Sequence, residues 1–196
     1  LTKMGAKVDG IGTSTLRIQG RDRLEGTVHH VLPDRIETGT FAMAVAATGG
    51  DVLLEGAQYP HLEAALNTLA ETGAKVEPTA TGVRVVRNGA GVRSVDVETQ
   101  PFPGFPTDLQ AQFMALLSVS AGSGVVTDTI YTDRFTHVPE LRRLGADIRL
   151  QNNVATVKGV GHLSGAHVTS TDIDESPYSV QTDSAISFSH YRRLRR

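Results

Sequence analysis

Apolar positions along this chain switch period in a fixed order, and that order repeats. Leu109, Phe113, Leu116 and Leu117 fall at i, i+4, i+7 and i+8, one face of a helix. Val83-Arg84-Val85-Val86 and Val154-Ala155-Thr156-Val157 are β-rich runs. Segments beginning at Leu1, Leu69 and Leu141 read almost alike and place a glycine at positions 5, 73 and 145. Each glycine follows helix-spaced apolar residues and precedes a β-rich run, as a helix-ending glycine does. The strands predicted after them are Lys7-Val8 with Leu16-Arg17-Ile18, Lys75-Val76-Glu77 with the run at 83–86, and 147–150 with the run at 154–157. A repeat of about 70 residues means one α/β unit used several times.

The other half of the unit repeats as well. Helices are predicted from Pro33-Asp34 towards Gly49-Gly50 and from Pro106-Thr107-Asp108 towards Gly122-Gly124. Asp34 with Glu37, and Thr107 with Gln110, have the spacing of capping boxes. Strands at 52–54 and 125–127 follow, and Pro60 and Pro139 stand where second helices start. The unit thus reads strand, helix, strand, helix, strand, strand. Alanines 42, 44, 46 and 47 allow close contact between helices. A fourth copy opens at Gly165 and is capped by Asp172, but no apolar helix follows. Residues 176–196 change composition and are expected to be a divergent, disordered tail.

Composition narrows the function classes. The 196 residues are 39% hydrophobic and 20% charged, which is globular. A net charge of -2 argues against nucleic-acid or membrane-surface binding through bulk charge. The absence of cysteine removes disulfides and thiol chemistry. No apolar run approaches ~18 residues, so no membrane span is expected, and the start lacks a signal-peptide pattern. The chain begins with Leu1, inside a repeat, and is therefore expected to be an internal piece of a larger protein.

Candidate chemistry centres on Asp108. With Thr107 assigned as the cap, its carboxylate is free to accept a proton from a hydroxyl; the competing reading is a helix-dipole partner in the first turn. Arg35 occupies the first turn of the earlier helix, where a solvated arm is the plain alternative. Arg134 lies between a strand and a helix, a place for a ligand contact or for a local salt bridge with Asp133. His29, His30 and His137 lack metal-ligand spacing, so neither a metal nor another cofactor is expected. Gly122-Ser123-Gly124 is too short for a phosphate loop.

Four blocks together carry a resemblance: residues 33–41, 105–113, 134–141 and 159–166. They resemble the enolpyruvyl transferases that act on UDP-N-acetylglucosamine, the 1-carboxyvinyltransferase family of peptidoglycan synthesis. The likeness runs from residue 1 to about 173. It implies an incomplete inside-out α/β barrel of repeated βαβαββ units. Residues 1–32 would end the first domain, 33–175 would make most of the second, and the active site would lie between domains.

The implied reaction moves the enolpyruvyl group of phosphoenolpyruvate to the 3′-hydroxyl of UDP-N-acetylglucosamine, with loss of phosphate. The implied setting is the cytoplasm, serving cell-wall synthesis, cell shape and division. By the same resemblance Asp108 is the catalytic base and touches the sugar. Ile130 contacts the nucleotide sugar through its backbone, and Arg35 and Arg134 lie near the cleft. Thr132 stands where the family usually has Glu, and Asp174 where Arg is usual. The general acid and the other cleft groups would lie in missing domain segments, so the isolated chain is expected to be inactive. It is also expected to be marginally stable, with the core around Leu116, Leu117 and Val125 open to water. The alternatives are an enolpyruvyl transferase acting on shikimate 3-phosphate and a non-catalytic α/β module.

Overall fold

In the computed structural model, residues 1–131 and 133–169 are described, and the chain divides into two compact units, the second beginning at Pro33. The expectations for Thr132, Asp172, Asp174 and 176–196 lie outside the described residues. The first unit, Leu1–Leu32, pairs strand β1 (Lys7–Asp9) antiparallel with β2 (Arg17–Gln19), Val8 opposite Ile18. None of its residues is buried, and Leu1, Leu16, Ile18, Val28, Val31 and Leu32 are exposed. A two-stranded ribbon of this kind has no core of its own to hold it.

The second unit contains two copies of the repeat. The first runs α1 (Arg35–Thr48), β3 (Gly50–Glu55), α2 (Glu63–Glu71), β4 (Lys75–Pro78) and β5 (Gly82–Arg87). The second runs β6 (Val97–Thr99), a 3-10 turn at Thr107–Leu109, α3 (Gln110–Ser118), β7 (Ser123–Asp128), α4 (Val138–Arg143), β8 (Asp147–Gln151) and β9 (Val154–Lys158). Strand order is β3-β5-β4 in one sheet and β6-β7-β9-β8 in the other. The shared β-strand order identifies the repeat; β6 adds a parallel strand beside β7, with Val97 opposite Val126. Residues 26–32 form no strand, so the first copy lacks this opening element among the described residues.

The recurring glycine does in all three places what its spacing predicts. Gly5, Gly73 and Gly145 have φ of 90°, 102° and 94°, the left-handed region where a side chain is strained. Asp34 caps α1, its Oδ1 accepting from Ile36 N at 2.7 Å and Glu37 N at 3.3 Å. Thr107 does not cap. Pro106 holds the N-cap position of the 3-10 turn and no side chain caps it. The Thr107 hydroxyl is drawn elsewhere, to a carboxylate described below. Helix α3 ends at Ser118, not at the glycines; Gly122 (φ 94°) belongs to the next turn and Gly124 to β7.

One core joins the helices and both sheets. Helix α1 packs on α2, α3, β3 and β5, and α3 packs on β7 and β9. The predicted face of α3 is wholly inside: Leu109, Phe113 and Leu117 at 0% exposure and Leu116 at 1%. Leu116 and Leu117 are therefore closed to water, contrary to the expectation from sequence, as α3 packs on β7 and β9, whereas Val125 is half-buried. Ala42 and Ala46 are also at 0%, which is the close helix approach their size permits. Gly39 serves the same contact: a β-carbon there would stand 2.4 Å from Leu109 Cδ1. This fixes the start of α3, and with it Asp108, against α1.

Candidate active site

Asp108 sits in the 3-10 turn that opens α3, with its side chain 35% exposed. The loop before it is anchored by Phe105, 4% exposed, whose ring meets Phe113 edge-on at 5.3 Å. Gln100 N donates to Phe105 O at 2.9 Å and closes that loop. The chain therefore delivers Asp108 at a fixed place even though Thr107 supplies no cap.

Arg134 comes to Asp108 from the loop between β7 and α4. Its Nη1 donates to Asp108 Oδ1 at 2.8 Å and approaches Thr107 Oγ1 at 3.4 Å. The arginine side chain is only 13% exposed, and its guanidinium carbon lies 5.5 Å from the centre of the Tyr131 ring. The partner identified by the structure is thus a residue distant in sequence, where a local pair with Asp133 was the plain alternative. The part-exposed carboxylate is open to a hydroxyl donor, with a nearly buried guanidinium beside it.

Ile130 lies in the same loop and is 37% exposed. Its N–H points inward, donating to Asp128 Oδ1 at 2.9 Å. Arg35 is not part of the Asp108–Arg134 pair. Its guanidinium carbon stands 5.6 Å from the centre of the Phe102 ring, on the loop that leads to Asp108. The structure pairs Asp108 with Arg134, ties the Ile130 backbone to Asp128 in the loop that carries Arg134, and sets Arg35 against Phe102 on the loop before Asp108.

Asp128 was missed in the sequence. It ends β7 and is 0% exposed. Its Oδ1 accepts from Thr99 Oγ1 at 2.8 Å, Ile130 N at 2.9 Å and Tyr131 N at 2.9 Å. Its Oδ2 accepts from Thr107 Oγ1 at 2.6 Å and Gln110 Nε2 at 3.2 Å. Burial pushes the Asp128 carboxyl up, but the bonds from Thr107, Tyr131, Ile130 and Thr99 outweigh it and hold it below the usual carboxylate range. The available signal was positional: a carboxylate closing an apolar strand stands where α/β folds gather their ligands. A shallow depression of about 410 Å³, lined by Gln58, Tyr59, Thr79 and Thr81, lies at the end of β3 in the first copy and carries no charged group. Charged groups gather instead around the corresponding strand end of the second copy.

Comparison with known proteins agrees on one lineage. Residues 1–173 match the family model of EPSP synthase (3-phosphoshikimate 1-carboxyvinyltransferase). Among curated relatives, a UDP-N-acetylglucosamine 1-carboxyvinyltransferase of Maricaulis maris is 57% identical over 176 residues, covering 90% of this chain and 42% of the relative. One of the same name from Beijerinckia indica is 58% identical, covering 90% and 41%. The chain thus spans about two fifths of these relatives. Solved structures share the fold. The enolpyruvyl transferase NikO from Streptomyces tendae has a TM-score of 0.68 at 23% identity, covering 81% of this chain and 38% of that one. EPSP synthase from Acinetobacter baumannii has 0.52 at 17%, covering 84% and 38%. With an αβαββ unit used twice, preceded by an opening strand in the second copy, and a family match over residues 1–173, this chain belongs to the enolpyruvyl transferase (EPSP synthase) family.

Proposed function

We propose that this chain supplies one wall of the active site of a cytoplasmic enolpyruvyl transferase. Its reaction joins the enolpyruvyl group of phosphoenolpyruvate to the 3′-hydroxyl of UDP-N-acetylglucosamine, feeding peptidoglycan synthesis. The observation that carries this is the Asp108–Arg134 pair at 2.8 Å, in a chain whose relatives at 57–58% identity bear that activity in their name. Asp108 takes the proton from the sugar hydroxyl as its oxygen attacks. Arg134 orients that carboxylate and adds positive charge for an anionic co-substrate. Ile130 presents its backbone carbonyl to the nucleotide sugar, since its N–H is held by Asp128, and Arg35 borders the same side. No metal or cofactor enters this scheme. Charge-stabilising groups of such a reaction must surround the substrates, so one wall alone does not turn over.

The test is a chimera in which residues 1–173 replace the matching stretch of the Maricaulis maris relative. Phosphate release is measured with phosphoenolpyruvate and either UDP-N-acetylglucosamine or shikimate 3-phosphate. Turnover with the nucleotide sugar is expected. Asp108→Asn should then lower kcat by roughly 10²–10⁴-fold with little change in the sugar KM. Turnover with shikimate 3-phosphate alone, or an unchanged kcat in the variant, would overturn the reading.

A further inference from the structure

The two copies of the repeat treat the end of the strand after their first helix differently. At the end of β3, Gly56 N donates to Thr81 O at 2.8 Å, across to the β4–β5 turn. At the end of β7, Asp128 N donates to Asn153 O at 2.9 Å, across to the β8–β9 turn. Gly56 and Asp128 therefore hold the same place. The first copy folds there with no side chain at all, and caps α1 with Asp34. The architecture of the unit does not require a carboxylate at this position. The second copy has one nonetheless, at 0% exposure and with five donors on its two oxygens.

Those donors define what it holds. Oδ2 is bound by Thr107, the residue before Asp108, and by Gln110, two residues after it. Oδ1 is bound by the N–H groups of Ile130 and Tyr131, in the loop that carries Arg134. Thr99 adds a third donor to Oδ1, and its own hydroxyl accepts from Thr129 N at 3.1 Å. One side chain thus clamps the turn bearing Asp108 to the loop bearing Arg134. All five contacts are donors, so only an acceptor with two oxygens completes the set.

We infer that Asp128 is a positioning residue of the active site, setting the Asp108 carboxylate against Arg134 and the Ile130 backbone. The inference rests on the proposed role of Asp108. It acts through hydrogen bonds that touch no substrate. Geometry held within fractions of an ångström is what such a site needs, and a shift of about 1 Å can cost 10²-fold in rate.

A double-mutant cycle in the chimera tests it, with kcat per folded molecule as the readout. Asp128→Asn keeps the shape but turns one acceptor into a donor. It should lower kcat by about 10-fold or more with Asp108 present. In the Asp108→Asn background it should lower kcat by less than about 2-fold, because the group it positions is already gone. Amide hydrogen exchange on the 196-residue chain checks the clamp directly. Ile130 and Tyr131 should lose protection in Asp128→Asn, while Val83 and Val85 should not. Should Asp128→Asn fail to fold, Thr107→Val removes one bond of the clamp and enters the same cycle. Equal losses in both backgrounds mean a structural role and sink the inference while leaving Asp108 as base. An unaffected kcat in Asp108→Asn alone sinks both.

Discussion

Replacing Asp128 with alanine removes the acceptor of five donors at once. Not all of them suffer equally. Ile130 and Tyr131 N–H lie in part-buried or exposed surroundings and can turn to water. Thr99 and Gln110 are at 0% and 1% exposure and cannot. Each buried donor left without an acceptor costs about 1–3 kcal/mol. Removing the buried charge gives some of that back, because the carboxylate no longer has to be kept from water. The net expectation is a loss of roughly 2–4 kcal/mol, against a domain stability of about 5–15 kcal/mol.

Urea unfolding of the 196-residue chain, followed by circular dichroism, reads this loss as a lower midpoint. The pH dependence gives a second reading. The folded-state pKa of Asp128 is depressed. Its contribution is therefore fully present above the unfolded value near ~3.9, and is lost as pH falls through the lower folded value. The wild-type chain should lose stability in that acid window, and Asp128→Ala should lose less. A loss below about 0.5 kcal/mol in Asp128→Ala, or an unchanged acid slope, would refute the hydrogen-bond argument.

Other perturbations probe the frame around the site. Leu117→Ala should cost about 2–5 kcal/mol in the same unfolding experiment, since a side chain at 0% exposure leaves a cavity; a cost near zero would mean that this face of α3 is open after all. Asp34→Ala should cost about 0.5–2 kcal/mol by freeing two N–H groups of α1, while Thr107→Ala should show no capping loss and act through the hydroxyl's bonds to Asp128 and Arg134.

The elements were legible from local signals, whereas pairings between distant residues were not. The glycines at 5, 73 and 145 announce a left-handed turn because few other residues tolerate it, and they adopt it in all three repeats. The face of α3 was legible because burial follows helical spacing. Thr107 misled because a Thr before Asp108 with Gln three residues on satisfies the capping-box pattern locally. Its hydroxyl had a stronger acceptor 21 positions away, which no local pattern records. Arg134 is the same case, since its carboxylate partner is 26 positions back in the chain. The expected exposure of Leu116 and Leu117 failed for another reason: it counted an absent helix but not the sheet that already covers them.

Comparing the two copies within one unit separates what the fold needs from what the site needs. Both copies carry the three-stranded order of β3-β5-β4 and β7-β9-β8, and both carry a buried helix against it. These shared features are accounted for by burial and hydrogen bonding alone. The copies part at the end of the strand, where Gly56 faces Asp128, and at the helix start, where Asp34 caps and Pro106 leaves the cap empty. A buried carboxylate is costly unless fully paired, so its presence in one copy only calls for a local benefit. The benefit on view is that one carboxylate ties the turn bearing Asp108 to the loop bearing Ile130 and Arg134. The frame occurs twice, and of the two copies it is the second that holds a buried charge beneath its loop, at Asp128.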